Sequence, residues 1–160
     1  MPSIQHYSQH DIENGLHPRT GDNTILIQIK DYAEVYALNS EPFIKPAAEF
    51  VRTYRFLFDD TEDEKDPNGI TDHEAILLGM ILRSSYAEGL NVVVHCVAGL
   101  CRSAAVAVAG HQIGFDLEDK IRMPNALVKK KIFQALGLYF DPVDSPFATD
   151  DRFGIMKEEA

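Results

Sequence analysis

The chain has 160 residues, of which 45% are hydrophobic, and a formal net charge of −10 at pH 7. This length and composition suit one globular domain with a full core, so we expect a single domain over residues 1–160, with residues 1–23 and 141–160 at its periphery. The acidic excess argues against general binding to nucleic acids or anionic membranes, because such binding needs surplus Lys and Arg.

The two cysteines, Cys96 and Cys101, lie in one short stretch, which is not the pattern of a secreted disulfide scaffold. No apolar run approaches 18 residues, and no charged-then-apolar leader opens the chain. We therefore expect a protein of the reducing cytoplasm without membrane insertion. Nothing in the pattern indicates an oligomeric state.

The first half of the chain predicts two clear strands and one clear helix. Thr24–Lys30 alternates and is β-branched, and the aromatic-rich segment Tyr54–Phe58 is the next predicted strand. Thr71 and Glu74 form a capping box before a helix expected over Ala75–Ala87. These elements are the N-terminal frame of the predicted domain.

Weaker signals flank them. A short strand is expected at Ser3–Tyr7, a helical turn at Asp11–Leu16, and a mixed segment with turns at Asp31–Pro46.

The second half predicts a buried strand at Leu90–His95 followed by helices. The first helix covers Ser103–Gln112, a second is expected at Leu117–Arg122, and a third begins at Pro124-Asn125. The inward face of the third helix is expected to comprise Leu127, Val128, Ile132, Phe133 and Leu136. Strands that alternate with helices indicate an α/β fold with a mainly parallel sheet of about four or five strands, flanked by helices on both faces.

A strand, a short loop and a helix follow one another within residues 91–110, and this segment carries the predicted chemistry. The strand ends at His95 and Cys96, and the helix opens at Arg102. Because five residues separate Cys96 from Arg102, a loop between them can aim successive backbone N–H groups at one point beside the helix N-terminus. Such a nest binds phosphate.

Individual side chains suit a phosphate site. The field at the helix N-terminus favours a thiolate, which makes Cys96 the expected nucleophile. Arg102 offers a planar fork that matches two phosphoryl oxygens. Gly99 allows a turn that a Cβ would hinder, and the hydroxyl of Ser103 can hydrogen-bond the sulfur.

The segment from His95 to Ser103, HCVAGLCRS, resembles the HCxxGxxRS signature of the cysteine-dependent protein tyrosine phosphatases, in the form common among dual-specificity members. A looser resemblance extends from Thr24 to Leu138. It implies a phosphotyrosine-phosphatase-like fold with the loop at the carboxyl edge of the sheet. The backbone amides that would bind the phosphate oxygens belong to Val97, Ala98, Gly99, Leu100, Cys101 and Arg102.

The same resemblance implies supporting and acidic residues. His95 and Asn125 are expected to support the loop from a second layer, although a plain helix N-cap explains Asn125 nearly as well. The leaving oxygen needs a proton, and the family places an aspartate at the end of the preceding strand. Asp60 matches that aspartate best, and Asp59 and Asp63 remain alternatives because spacing alone does not decide among them.

These observations predict a phosphatase that hydrolyses phosphotyrosine, with phosphoserine and phosphothreonine as further substrates, through a cysteinyl-phosphate intermediate. No metal or cofactor is expected, and the partner is a phosphorylated protein or peptide. One alternative is a catalytically silent phosphopeptide-binding module. Another is a phosphatase acting on a phosphoinositide or an RNA 5′-phosphate, which the acidic charge disfavours. A reversible disulfide between Cys96 and Cys101 is a further open interpretation.

Overall fold

A computed structural model describes residues 2–17, 21–32, 43–117 and 123–138. Within these ranges the strands are β1 (Ile4–Ser8), β2 (Gly21–Lys30), β3 (Phe50–Leu57) and β4 (Asn91–Cys96). The helices with defined bounds are α1 (Gln9–Glu13), α2 (Asp72–Ala87), α3 (Arg102–Gln112) and α4 (Ala126–Ala135).

The strands form one sheet in the order β1-β4-β2-β3, and every pair is parallel. This confirms the predicted α/β fold with a mainly parallel sheet of about four or five strands. The central strand β4 is buried along its whole length because both faces of the sheet are covered. Val92 and Val94 join the main core with residues of α2, α3 and α4, whereas Val93 packs on the opposite face with Ile12 of α1.

Strand register brings the ends of all four strands to one edge. Ser8 of β1 lies opposite Cys96 of β4, and Lys30 of β2 lies opposite Leu57 of β3. In parallel sheets covered by helices, ligands bind outside the carboxyl ends of the strands. Residues that directly follow the strands, among them Asp31 and Phe58, are therefore placed beside the loop that follows Cys96.

The helix boundaries follow from capping. The hydroxyl of Thr71 accepts a hydrogen bond from the N–H of Glu74 at 3.1 Å, and the Glu74 carboxylate accepts from the N–H of Thr71 at 2.9 Å, which confirms the predicted capping box. Asn125 caps α4, its side-chain oxygen accepting from the N–H of Val128 at 2.9 Å. All residues predicted for the inward face of this helix are buried: Leu127, Val128, Ile132, Phe133 and Leu136.

The N-terminal segment is more deeply integrated than the expected periphery. β1 is an edge strand, yet Ile4 is fully buried, and so is Ile12 of α1. "Peripheral" thus describes the position of this segment at the edge of the sheet but not its burial. Of the other predicted segments, most of the helix at Leu117–Arg122, residues 33–42 and the tail at 141–160 lie outside the described residues. Within the described ranges no helix has the length and apolarity to cross a bilayer.

Candidate active site at the carboxyl edge of the sheet

The Cys96 thiol occupies the junction of β4, the following loop and α3. Its side chain is buried, with 2% of its surface exposed. The backbone N–H of Gly99 donates a hydrogen bond to the sulfur at 3.3 Å, and the Ser103 hydroxyl lies 3.2 Å from it. Two polar groups therefore contact the buried sulfur, and hydrogen bonds of this kind stabilise a negatively charged sulfur.

The loop of residues 97–101 offers backbone donors beside the N-terminus of α3. No described residue accepts a hydrogen bond from the backbone N–H of Val97, Ala98, Leu100, Cys101 or Arg102. Since α3 has 11 residues and begins at Arg102, its positive end adds to the same region. The predicted phosphate-binding residues are thus brought together with available N–H groups.

Arg102 is an almost fully buried cation, with 4% of its surface exposed. Its Nη1 donates to the carbonyl oxygen of Phe58 at 2.8 Å and forms an ion pair with the carboxylate of Asp31. Its Nε is buried without a hydrogen-bond partner among the described residues. The sequence predicts Arg102 as a site residue but not Asp31, although Asp31 follows the end of β2 much as Asp59 and Asp60 follow the end of β3.

Residues near the start of the chain contact the loop of residues 97–101. Gly99 has φ of 75°, and a Cβ at this position would lie 2.4 Å from the backbone N of Ser8. The N–H of Gln9 donates to the carbonyl of Val97 at 3.1 Å, and His6 Nδ1 lies 2.9 Å from the carbonyl oxygen of Gly99. Because a carbonyl only accepts, this histidine nitrogen is the donor. Sequence reasoning missed these contacts because they depend on the pairing of β1 with β4.

Asn125 connects the loop of residues 97–101, the predicted phosphate loop, to the acidic loop of residues 59–69. Its backbone N–H donates to the carbonyl of Cys101 at 2.9 Å. Its side-chain Nδ2 donates to the carboxylate of Asp60 at 2.7 Å and to the carbonyl of Thr61 at 3.1 Å. The supporting role expected for Asn125 remains a prediction, but the residue has a place in the site beyond capping α4.

The three aspartates considered as proton donors differ in their contacts. Asp59 accepts from the backbone N–H of Tyr32 at 2.8 Å. Asp63 accepts from the N–H of Lys65 at 2.9 Å and so closes a local turn. Asp60 is exposed and bonded to Asn125, which in turn holds the phosphate loop. Of the three, Asp60 has the direct link to the site.

Burial affects the protonation of two groups beside Cys96. The pKa of His95 falls to about 4, chiefly because the ring is buried, and the nearby Lys30 charge lowers it further. His95 is therefore neutral at pH 7, with Nδ1 lying 3.2 Å from the carbonyl oxygen of Cys96. Burial, followed by the charge of Asp60, raises the pKa of the Cys101 thiol. Cys101 thus remains protonated beside Arg102 at neutral pH.

The described residues contain no group of three or more His, Cys, Asp or Glu placed to hold a metal ion. The fold and the site together define an α/β protein with a buried thiol, a loop of available amides and one buried arginine at the carboxyl edge of a parallel sheet.

Comparison with known proteins gives structural likeness alone. No family model matches the sequence, and no curated protein matches it. The human tyrosine phosphatase-like serine/threonine/tyrosine-interacting protein is similar in structure, with 22% identity over 71% of this chain and 76% of that chain and a TM-score of 0.46. Tk-PTP in its active form has 12% identity over 84% and 80% of the two chains and a TM-score of 0.40. TpbA of P. aeruginosa has 17% identity over 72% and 63%, with a TM-score of 0.37.

The chain is thus similar to structures of tyrosine phosphatase-like proteins.

Proposed function

We propose that the protein is a phosphatase that hydrolyses phosphate monoesters through a cysteinyl-phosphate intermediate. The observation that carries the proposal is the meeting of a buried sulfur, a set of available loop amides and a buried guanidinium within residues 96–102. An amide nest with an arginine fork binds the equatorial oxygens of a phosphoryl group, and a thiol at its base is positioned to attack phosphorus.

In the first step, Cys96 attacks phosphorus as the thiolate. An S–P bond forms, the P–O bond to the leaving group breaks, and the departing oxygen takes a proton from Asp60. The loop amides and Arg102 stabilise the charge that develops on the phosphoryl oxygens. In this mechanism Asp60 has to be protonated when the substrate binds and ionised when the leaving group departs.

In the second step, water attacks the phosphocysteine, the S–P bond breaks, and inorganic phosphate leaves. The carboxylate of Asp60 accepts a proton from the attacking water and is thereby restored as an acid. The departing thiolate accepts hydrogen bonds from Gly99 N–H and the Ser103 hydroxyl, the two groups that contact the sulfur. The two steps together convert a phosphate monoester and water into an alcohol or phenol and inorganic phosphate, with no change of oxidation state.

For the substrate we favour phosphotyrosine in a protein or peptide, with phosphoserine and phosphothreonine as further substrates. Leu100, which lies in the loop itself, exposes 50% of its surface. Apolar side chains beside a phosphate site favour an aryl ester over a sugar phosphate. The cytoplasmic location expected from the sequence remains a prediction.

Turnover of p-nitrophenyl phosphate tests the proposal. We expect Cys96→Ser to lose activity by at least about a thousandfold and to keep tungstate binding, because the amide nest does not depend on sulfur. Cys101→Ser is the matched variant at the other thiol, and it should stay within about tenfold of the wild type. Activity of Cys96→Ser above that limit would reject the mechanism. Tungstate binding without wild-type turnover would favour the phosphopeptide-binding module.

A panel of esters then ranks the substrates. Phosphotyrosine, phosphoserine and phosphothreonine peptides are compared with phosphoinositides and an RNA 5′-phosphate at equal concentration. We expect the highest kcat/KM for the phosphotyrosine peptide. A higher value for either non-protein phosphate would replace this substrate assignment while leaving the chemistry of Cys96 in place.

A further inference from the structure

Arg102 uses one nitrogen of its guanidinium for protein contacts and leaves another without a partner. Nη1 donates to the carbonyl oxygen of Phe58 at 2.8 Å and pairs with a carboxylate oxygen of Asp31. Nε is buried and has no partner among the described residues. An unpaired N–H in a side chain that is 4% exposed calls for a ligand, because water cannot satisfy it freely.

The geometry of the guanidinium separates the N–H donors that contact the protein from those that remain for a ligand. Nη1 carries two N–H groups, and two acceptors use them. The remaining donors on Nε and Nη2 include the parallel pair that matches two oxygens of a phosphoryl group. The protein contacts therefore occupy the end of the guanidinium that such a bidentate contact does not need.

The two acceptors come from neighbouring strands of the sheet. Asp31 directly follows β2 and Phe58 directly follows β3. The N–H of Phe58 donates to the carbonyl of Lys30 at 3.0 Å, and the N–H of Tyr32 donates to Asp59 at 2.8 Å. The backbone on both sides of Asp31 is thus tied to the chain that leaves β3, and this limits its movement relative to Arg102.

We propose that Asp31 is a positioning residue, which holds Arg102 so that the Nε and Nη2 edge of its guanidinium meets the phosphoryl oxygens. This inference rests on the proposed function, since it assigns the orientation of the phosphate-binding arginine. A carboxylate so near an anion site also repels the phosphate. If positioning matters more than this repulsion, removal of the Asp31 side chain lowers the affinity for the anion. If repulsion matters more, the affinity rises.

The experiment measures tungstate affinity by titration calorimetry, with every variant made in the Cys96→Ser protein so that no chemistry occurs. Asp31→Ala removes both the acceptor and the charge, and we expect affinity to fall about tenfold although a repelling charge is lost. Asp31→Asn keeps an acceptor oxygen without the charge, and its affinity should equal or exceed that of the parent. Glu88→Gln, which breaks an exposed ion pair with Arg52, is the control and should change nothing.

A double-mutant cycle establishes whether Asp31 acts through the arginine. In an Arg102→Lys background the fork is absent, so Asp31→Ala should cause no loss of affinity, and removal of the repelling charge should leave the affinity equal or higher. In the protein with Cys96 intact, Asp31→Ala should lower kcat for p-nitrophenyl phosphate by about 10–100-fold, because a small misplacement of a binding group is costly. Asp31→Asn should restore most of that kcat.

Two results would overturn the inference. The first is an Asp31→Ala protein that binds tungstate as tightly as the parent or more tightly, since Asp31 would then act only as a repelling charge. The second is an equal loss of affinity in the Arg102→Lys background. Asp31 is 36% exposed at a strand end, so folded variants are expected, and Asp31→Ser replaces Asp31→Ala if that protein does not fold.

Failure of the proposed function has a different signature. Absence of tungstate binding in the Cys96→Ser parent would remove the anion site and the inference with it. Binding with the expected variant pattern but without wild-type turnover would support the role of Asp31 and reject the phosphatase mechanism.

Discussion

The phosphate loop and the acidic loop lie at the same edge of the sheet but are held in different ways. Distant parts of the chain surround residues 97–101. Gln9 bonds to Val97, Ser8 packs against Gly99, and Asn125 bonds to Cys101. The residues beside this loop, Cys96 and Arg102, are nearly inaccessible to solvent.

The acidic loop, residues 59–69, depends more on local hydrogen bonds. Asp63 and Asp66 each accept from a backbone N–H two residues further along the chain, which closes short turns. Its links to α4 are the bonds of Asn125 to Asp60 and Thr61, the bond of Glu62 to the N–H of Ala126 and an exposed pair between Glu64 and Lys130.

This difference predicts two kinds of response to substitution. Changes in the phosphate loop act on a site that tertiary packing has preorganised, so geometry and stability respond together. Changes in the acidic loop alter one proton transfer and leave the fold intact, because exposed side chains and local turns contribute little to the core.

Among substitutions that keep Cys96, the largest effect is expected at Arg102. Arg102→Lys replaces a bidentate fork by a point charge. We expect kcat/KM to fall by an amount that corresponds to about 2–4 kcal/mol of lost transition-state stabilisation. Steady-state kinetics with an aryl phosphate measure the loss. Arg52→Lys, at an exposed arginine on β3, is the control and should leave kinetics unchanged. Near-normal kinetics of Arg102→Lys would move the phosphate site elsewhere.

The next effect concerns Asp60. Asp60→Asn removes the proton but keeps an oxygen that accepts from Asn125, so the loop should hold its place. We expect kcat to fall about 100-fold with tyrosyl phosphate, little change with an activated ester, and the loss of the falling limb in the pH profile of kcat/KM.

Asp59→Asn and Asp63→Asn are the controls for Asp60. Both should keep that limb, because Asp59 bonds to Tyr32 and Asp63 closes a turn. If Asp63→Asn alone removed it, the proton donor would be Asp63. If none of the three did so, the general-acid step would be wrong, and the Cys96→Ser assay would test the nucleophile separately.

A stability measurement sharpens the contrast at Gly99. Gly99→Ala should cost about 2–3 kcal/mol of unfolding free energy, because it combines a left-handed φ with a clash against the backbone of Ser8. Gly89→Ala is the matched control, since Gly89 has φ of 72° with no atom within 4 Å of an added Cβ. Denaturant unfolding should show a smaller loss there. Equal losses would mean that contact with β1 does not constrain the loop.

The smallest effect is a dependence of stability on pH through His95. The pKa of this ring in the folded protein is about 4, below the value of 6.5 for an unburied histidine. As pH falls below 6.5 the unfolded chain takes up the proton first, so stability decreases until about pH 4, whereas above 6.5 the ring contributes no slope. Between pH 6.5 and 5 the loss should be roughly 1–2 kcal/mol.

Thermal unfolding across this pH range measures that slope. The slope should flatten in His95→Gln and persist in His111→Gln, which changes a half-buried histidine at the end of α3. An unchanged slope in His95→Gln would assign the pH dependence to other groups.

Local patterns in the sequence determined the elements and the central chemical residues. β-branched runs predicted β2 and β4, and Thr71 with Glu74 predicted the start of α2, because periodicity and capping depend on neighbours within a few residues. The spacing of Cys96 and Arg102 is local in the same sense, since one loop and one helix N-terminus connect them.

Only the tertiary structure decided which distant residues complete the site. Asp31 pairs with Arg102 across 71 positions of sequence, and His6 contacts Gly99 across 93. The bond from Asn125 to Asp60 spans 65 positions and distinguishes Asp60 from Asp59 and Asp63. Such contacts follow from strand order and register, which bring the ends of separate strands to one edge. No pattern of neighbouring residues encodes that arrangement, because it results from packing of the whole sheet against its helices.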